Sequence, residues 1–121
     1  MIFSLKKLIS LFNRSSLGVC SICDETFSDK ELTVVDALSF CPYDTKLYNQ
    51  YNWSVFRTTN SNPDNPDDAL ELQILKAKFK KFSIPSFIVT DYFEKDNYVI
   101  TQFQLFLPSK LLQEAEKQLL L

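Results

Sequence analysis

Ile2, Leu5, Leu8, Ile9 and Phe12 recur at intervals of three and four residues, with Lys6 and Asn13 off that face. This spacing predicts an amphipathic helix over residues 2–13. Two readings stay open for it: a helix that packs on its own domain, or one that lies on a membrane surface or docks a partner, helped by Lys6, Lys7 and Arg14. Lys6 and Lys7 interrupt the apolar run, which is too short for a signal-peptide core and far too short to span a bilayer.

Further along the chain the period changes. Leu32–Val35 and Ala37–Phe40 read as two short strands, and residues 45–52 as one or two helical turns. Residues 53–59 predict a strand, and residues 60–68 a polar loop with Pro63 and Pro66. The acidic end of that loop suits a helix N-terminus, where carboxylates meet free N–H groups. A helix over 67–82 follows, ended by Ile84-Pro85. Residues 86–93 and 98–107 predict a hairpin about the turn 94–97, and Pro108-Ser109 opens a last helix with Leu111, Leu112, Ala115 and Leu119 on one side. The order strand, helix, strand, strand, helix implies an α+β layer, helices on one face of a small sheet. The expected organisation is a helix over 1–14, a module over 18–52 and a βαββα domain over 53–121.

At about 100° per residue, Leu72, Leu75, Phe79 and Phe82 share one face of the 67–82 helix, and Leu70, Ile74 and Ala77 nearly the opposite one. A helix apolar on two sides calls for cover on two sides, and the sheet supplies one. Leu70, Ile74 and Ala77 are therefore the candidate interaction face, within the chain or between chains. Lys76, Lys78, Lys80 and Lys81 read as a solvated rim where positive charge suits the helix C-terminus.

Composition narrows the function. The chain has 121 residues, 45% hydrophobic and 23% charged, with eleven Phe, as in a small globular domain with an aromatic core. A single glycine excludes phosphate-binding loops, GxGxxG turns and nucleophile elbows. The absence of histidine removes the commonest general base and the commonest nitrogen ligand for zinc. A net charge of -2 argues against nucleic acid as the main partner. Residues 20–45 are more acidic still, with Lys30 against Asp24, Glu25, Asp29, Glu31, Asp36 and Asp44.

The candidate chemistry lies in three cysteines. Cys20-Ser21-Ile22-Cys23 is a knuckle whose two thiolates can hold one side of a tetrahedral ion. Seventeen residues separate Cys23 from Cys41, a length that suits two strands and a turn. Cys41-Pro42-Tyr43-Asp44 then repeats the spacing with a carboxylate in the last place. Cys20, Cys23, Cys41 and Asp44 are thus expected to form a closed structural zinc site in a reducing, cytoplasmic setting. Two alternatives stand beside this: Asp44 as the cap of a helix starting near Thr45, or three cysteines acting as small apolar core residues. Asp24 and Glu25 are weaker ligand candidates. No motif places a base beside the cysteines, and the CxxC precedes the strands rather than opening a helix after one, so no enzyme is expected.

The segment from Trp53 to Leu120 resembles a family of prokaryotic signal-transducing proteins built on a domain of unknown function. The resemblance rests on "WSVFRTT", "DDALELQILKAKFKKFSIPSF" and "FQLFLPSKLLQEAEKQLL", and residues 20–44 look like the zinc ribbon often joined to such domains. Ser83-Ile84 stands where those proteins often carry Gly-Ile. The resemblance implies a ferredoxin-like or nitrogen-regulator-like sheet and a regulatory role through a protein partner or homodimer, with no catalytic residues to carry over. The competing expectation is a peripheral membrane protein anchored by residues 2–13.

Overall fold

Residues 17–61 and 69–120 are described by the computed structural model of the chain. The helix expected over 2–13 and the acidic start of the helix expected at 67 lie outside them. The described chain is mixed α+β, in two compact units that divide between Tyr48 and Asn49.

The first unit holds two small antiparallel hairpins. β1 (Leu17–Val19) pairs with β2 (Thr26–Ser28), and β3 (Thr33–Val35) with β4 (Leu38–Phe40). The β1–β2 pair is too short to show as an alternation in the sequence. It brackets the first cysteine knuckle. Gly18, the sole glycine, sits in β1 where a Cβ would collide with the Leu32 side chain. The β3–β4 turn is made by Asp36, which takes a φ of 54°, a conformation that Asp tolerates better than most residues. After β4, α1 (Pro42–Gln50) folds back, and Tyr48 stacks on the fully buried Phe40 with ring centroids 4.5 Å apart.

The second unit is a three-stranded antiparallel sheet of β5 (Trp53–Ser61), β6 (Phe87–Lys95) and β7 (Tyr98–Pro108), in the order β5-β7-β6. The last strand lies between the first two, so the β5–α2–β6 connection is split by β7. Helix α2 (Ala69–Lys81), a 3-10 turn (Ser109–Leu111) and helix α3 (Leu112–Leu119) complete the unit. Alternation along β7 sends Leu105 and Leu107 into a buried cluster with Leu72, Phe79, Ile84 and Ala115. A bulge between Val55 and Arg57 turns both Phe56 and Arg57 to the helix side. There Phe56 meets Phe79 edge-on at 5.1 Å, and Arg57 reaches Glu116 at 3.4 Å.

Helix α2 ends as the Ile-Pro signal requires. Ile84 N–H donates to the Phe79 carbonyl at 3.0 Å and Ser83 N–H to the Lys80 carbonyl at 3.1 Å. Ser83 has a φ of 60°, so this is a Schellman cap with serine in the left-handed position where glycine is usual. Phe79 and Ile84 supply its apolar contact inside the core.

Two expectations about α2 need correction. Phe82, placed on the buried face by periodicity, is 45% exposed because the helix stops at Lys81. Lys76 is buried while Lys80 and Lys81 are exposed, so the four lysines do not form one solvated rim.

A candidate metal centre

The first knuckle is shaped by its backbone. Cys20 N–H donates to the Glu25 carbonyl and Asp24 N–H to the Cys20 carbonyl, both at 2.9 Å, closing a tight turn between β1 and β2. Asp24 takes a φ of 64° to make that turn. The turn leaves Asp24 and Glu25 exposed and outside the ligand cluster, so these weaker candidates shape the loop through their backbone.

The second knuckle is the start of a helix. α1 begins at Pro42, three residues before the expected Thr45. Proline suits this first helical position, because its missing N–H is one of the unpaired groups there. Cys41 is therefore the cap: its Sγ accepts from the Asp44 N–H at 3.4 Å, and its carbonyl accepts from the Thr45 N–H at 2.8 Å. Asp44 is not the cap. It lies inside the first turn, at the positive end of the dipole, and is buried at 3% exposure.

β4 draws the knuckles together. Ser21 N–H donates to the Ser39 carbonyl at 2.7 Å, and Ser39 N–H donates to the Ser21 hydroxyl at 3.1 Å. The candidate ligand atoms of Cys20, Cys23, Cys41 and Asp44 all fall within 4.8 Å of one another, close enough to hold one metal ion. Asp44 Oδ2 accepts from the Cys20 thiol at 3.1 Å and from the Cys41 thiol at 3.3 Å. Cys41 N–H points at Cys20 Sγ at 3.4 Å, so backbone donors already serve two of the sulfurs. No disulfide joins the three cysteines.

Electrostatics favour the protonated thiols of Cys23 and Cys41 in this geometry. Desolvation pushes the Cys23 thiol up to about 12, and the neighbouring Cys20 sulfur adds to it against a backbone hydrogen bond at Glu25. Desolvation also raises Cys41. The crowding therefore opposes ionisation of Cys23 and Cys41, and a divalent cation among these side chains would reverse that preference.

In the second unit, Leu70 and Ile74 are 55% and 60% exposed, and Ala77 is exposed as well, while Leu72 and Phe79 on the other side are fully buried. The candidate interaction face is therefore an open apolar stripe on α2. Sequence reasoning missed a second apolar surface, the far end of the β6–β7 hairpin. Its strands were legible, but the exposure of Tyr92, Phe93, Tyr98 and Val99 there was not. Among the described residues no helix is long and apolar enough to cross a membrane.

Comparison of the chain with family models, with curated proteins and with solved structures gave no match.

Proposed function

We propose that the chain is a non-enzymatic protein-interaction or regulatory module whose first unit is held by a structural zinc ion. The observation that carries this is the convergence of Cys20, Cys23, Cys41 and Asp44 from two knuckles onto one point, within 4.8 Å. A tetrahedral zinc with Zn–S bonds of about 2.3 Å sets its ligand atoms ~3.8 Å apart, so a small contraction closes the cage. Soft thiolates favour zinc over magnesium or calcium, and one carboxylate is acceptable among them. Four protein ligands would leave no open coordination position, which suits a structural rather than a catalytic ion. A cytoplasmic setting belongs to the same reading, which rests on three cysteines with no disulfide.

The split β5–α2–β6 connection supports kinship with ferredoxin-like and nitrogen-regulator-like sheets. With it goes the suggested resemblance to signal-transducing domains. The exposed Leu70, Ile74 and Ala77 supply a surface for a protein partner.

The test is elemental mass spectrometry of protein purified without a metal-affinity tag, for the native chain and for Asp44→Ala. About one zinc per chain is expected in the native protein, and zinc weakened at least tenfold in the variant. A native chain that neither carries zinc nor takes it up on titration overturns the reading.

A further inference from the structure

Among the described residues the sheet has two edges, β5 and β6, and they differ. β5 is interrupted by the bulge between Val55 and Arg57, a common device for spoiling an edge against further pairing. β6 pairs with β7 in unbroken register from Phe87 to Lys95, with no bulge and no proline. Its outer half is exposed residue by residue from Asp91 to Lys95, with Tyr92 at 72% and Phe93 at 40%. An edge this regular, carrying exposed aromatics, is a template for another strand.

We propose that the strand it takes is β6 of a second copy of this chain, antiparallel, with Phe93 on the two-fold axis. This deepens the protein-interaction reading by naming the partner, and it rests on that reading for the kind of partner. The register follows from charge. With Phe93 opposite Phe93 of the second copy, Asp91 stands opposite Lys95 and Lys95 opposite Asp91, giving two complementary pairs. The neighbouring register, centred on Tyr92, would set Lys95 against Val89 and Asp91 against Phe93.

The pleat agrees with this register. The Asp96-Asn97 turn has φ values of 51° and 70°, the two-residue hairpin type in which the flanking pair, here Lys95 and Tyr98, is hydrogen-bonded. Alternation then directs the N–H and C=O of Phe93 towards β7 and those of Tyr92 and Glu94 outwards. In the proposed dimer Glu94 and Tyr92 of opposite copies exchange main-chain hydrogen bonds. Phe93 occupies the closer, non-hydrogen-bonded position, where side chains touch most readily. Because Phe93 already faces Ile100 across β7, an apolar row Ile100–Phe93–Phe93–Ile100 runs across the axis. Asp91 and Lys95 are on the same face as Phe93, so the charged pairs flank that row. Among the described residues only the bulged β5 edges remain outside, which stops association at two.

Sedimentation equilibrium of the full chain tests this. The native protein is expected at twice 14.1 kDa. Asp91→Lys alone and Lys95→Asp alone should each weaken the dimer on the order of tenfold or more, because two attractive pairs become repulsive. Mixing the two single variants should restore a heterodimer, since all-positive then meets all-negative, and the double variant should dimerise like the native chain. Circular dichroism and zinc content, unchanged in these exposed variants, separate a lost interface from a lost fold and leave the metal reading to its own test. A native chain that stays monomeric at high micromolar concentration overturns the proposal. So does a dimer indifferent to both reversals, which would lie on another surface such as the α2 stripe.

Discussion

Asp44 shows what a single residue contributes here. Its carboxylate is buried against two thiols, and its N–H fixes the cap of α1 through Cys41 Sγ. Cys41 caps α1 and would, in the proposed site, also be a zinc ligand, and Cys41→Ser separates the two. Serine is among the best helix caps, so α1 should persist, while zinc binding, now short of one thiolate, should weaken well beyond tenfold. Metal titration followed by circular dichroism reads both. Ser83 is the second instructive residue. A non-glycine residue in the left-handed region carries a cost of about 1 kcal/mol, and the Schellman cap demands that conformation. Ser83→Gly is expected to raise unfolding stability by about 0.5–1 kcal/mol in denaturant titration. An unchanged or lower midpoint would contradict the cap geometry.

At the scale of elements, α2 has one face locked in the core and one open. Phe79→Ala should cost about 3–5 kcal/mol, through lost burial and the cavity left behind. Ile74→Asp, on the exposed face, should change stability by no more than about 0.5 kcal/mol, and should instead weaken binding of any partner that uses this stripe. The knuckles predict a dependence on pH. In the metal-free chain folding raises the Cys23 pKa from its ordinary 9.0 to about 12, so the protonated form is the one folding favours. The stabilisation linked to it is complete below the unfolded value and is lost as pH rises from 9.0 towards about 12. Thermal melts below and within that window should show the loss without zinc. With zinc bound, the thiolates no longer take up or release protons there, and the loss should disappear.

Over the whole molecule, the two units rest on different sources of stability. The second has its own aliphatic and aromatic cluster. The first has short hairpins, a few buried side chains and the four convergent side chains, the kind of small core that the proposed zinc would staple. Chelation of zinc is therefore expected to deprotect amides of residues 17–48 in hydrogen exchange while those of β7 keep their protection. Uniform loss across both units would mean that the ion does not act locally.

Much of this was readable in the chain. Period-two and period-3.6 patterns and short β-branched or aromatic runs located β3 to β7 and the helices of the second unit; the one-sided burial of α2 and β7 is the clearest of these signals. That Cys20, Cys23, Cys41 and Asp44 cluster was readable because a knuckle is local: two intervening residues set a turn radius whatever surrounds it. Other features depended on the three-dimensional arrangement. β1 and β2 are three residues each, too short to carry a period, and exist because they pair. The role of Asp44 turned on where α1 begins, and that followed from Cys41 capping a helix opened by Pro42. Sequence could mark β6 as a strand. Only the order β5-β7-β6 makes it an edge, because the neighbours of a strand are set by long-range hydrogen bonding and not by its own residues.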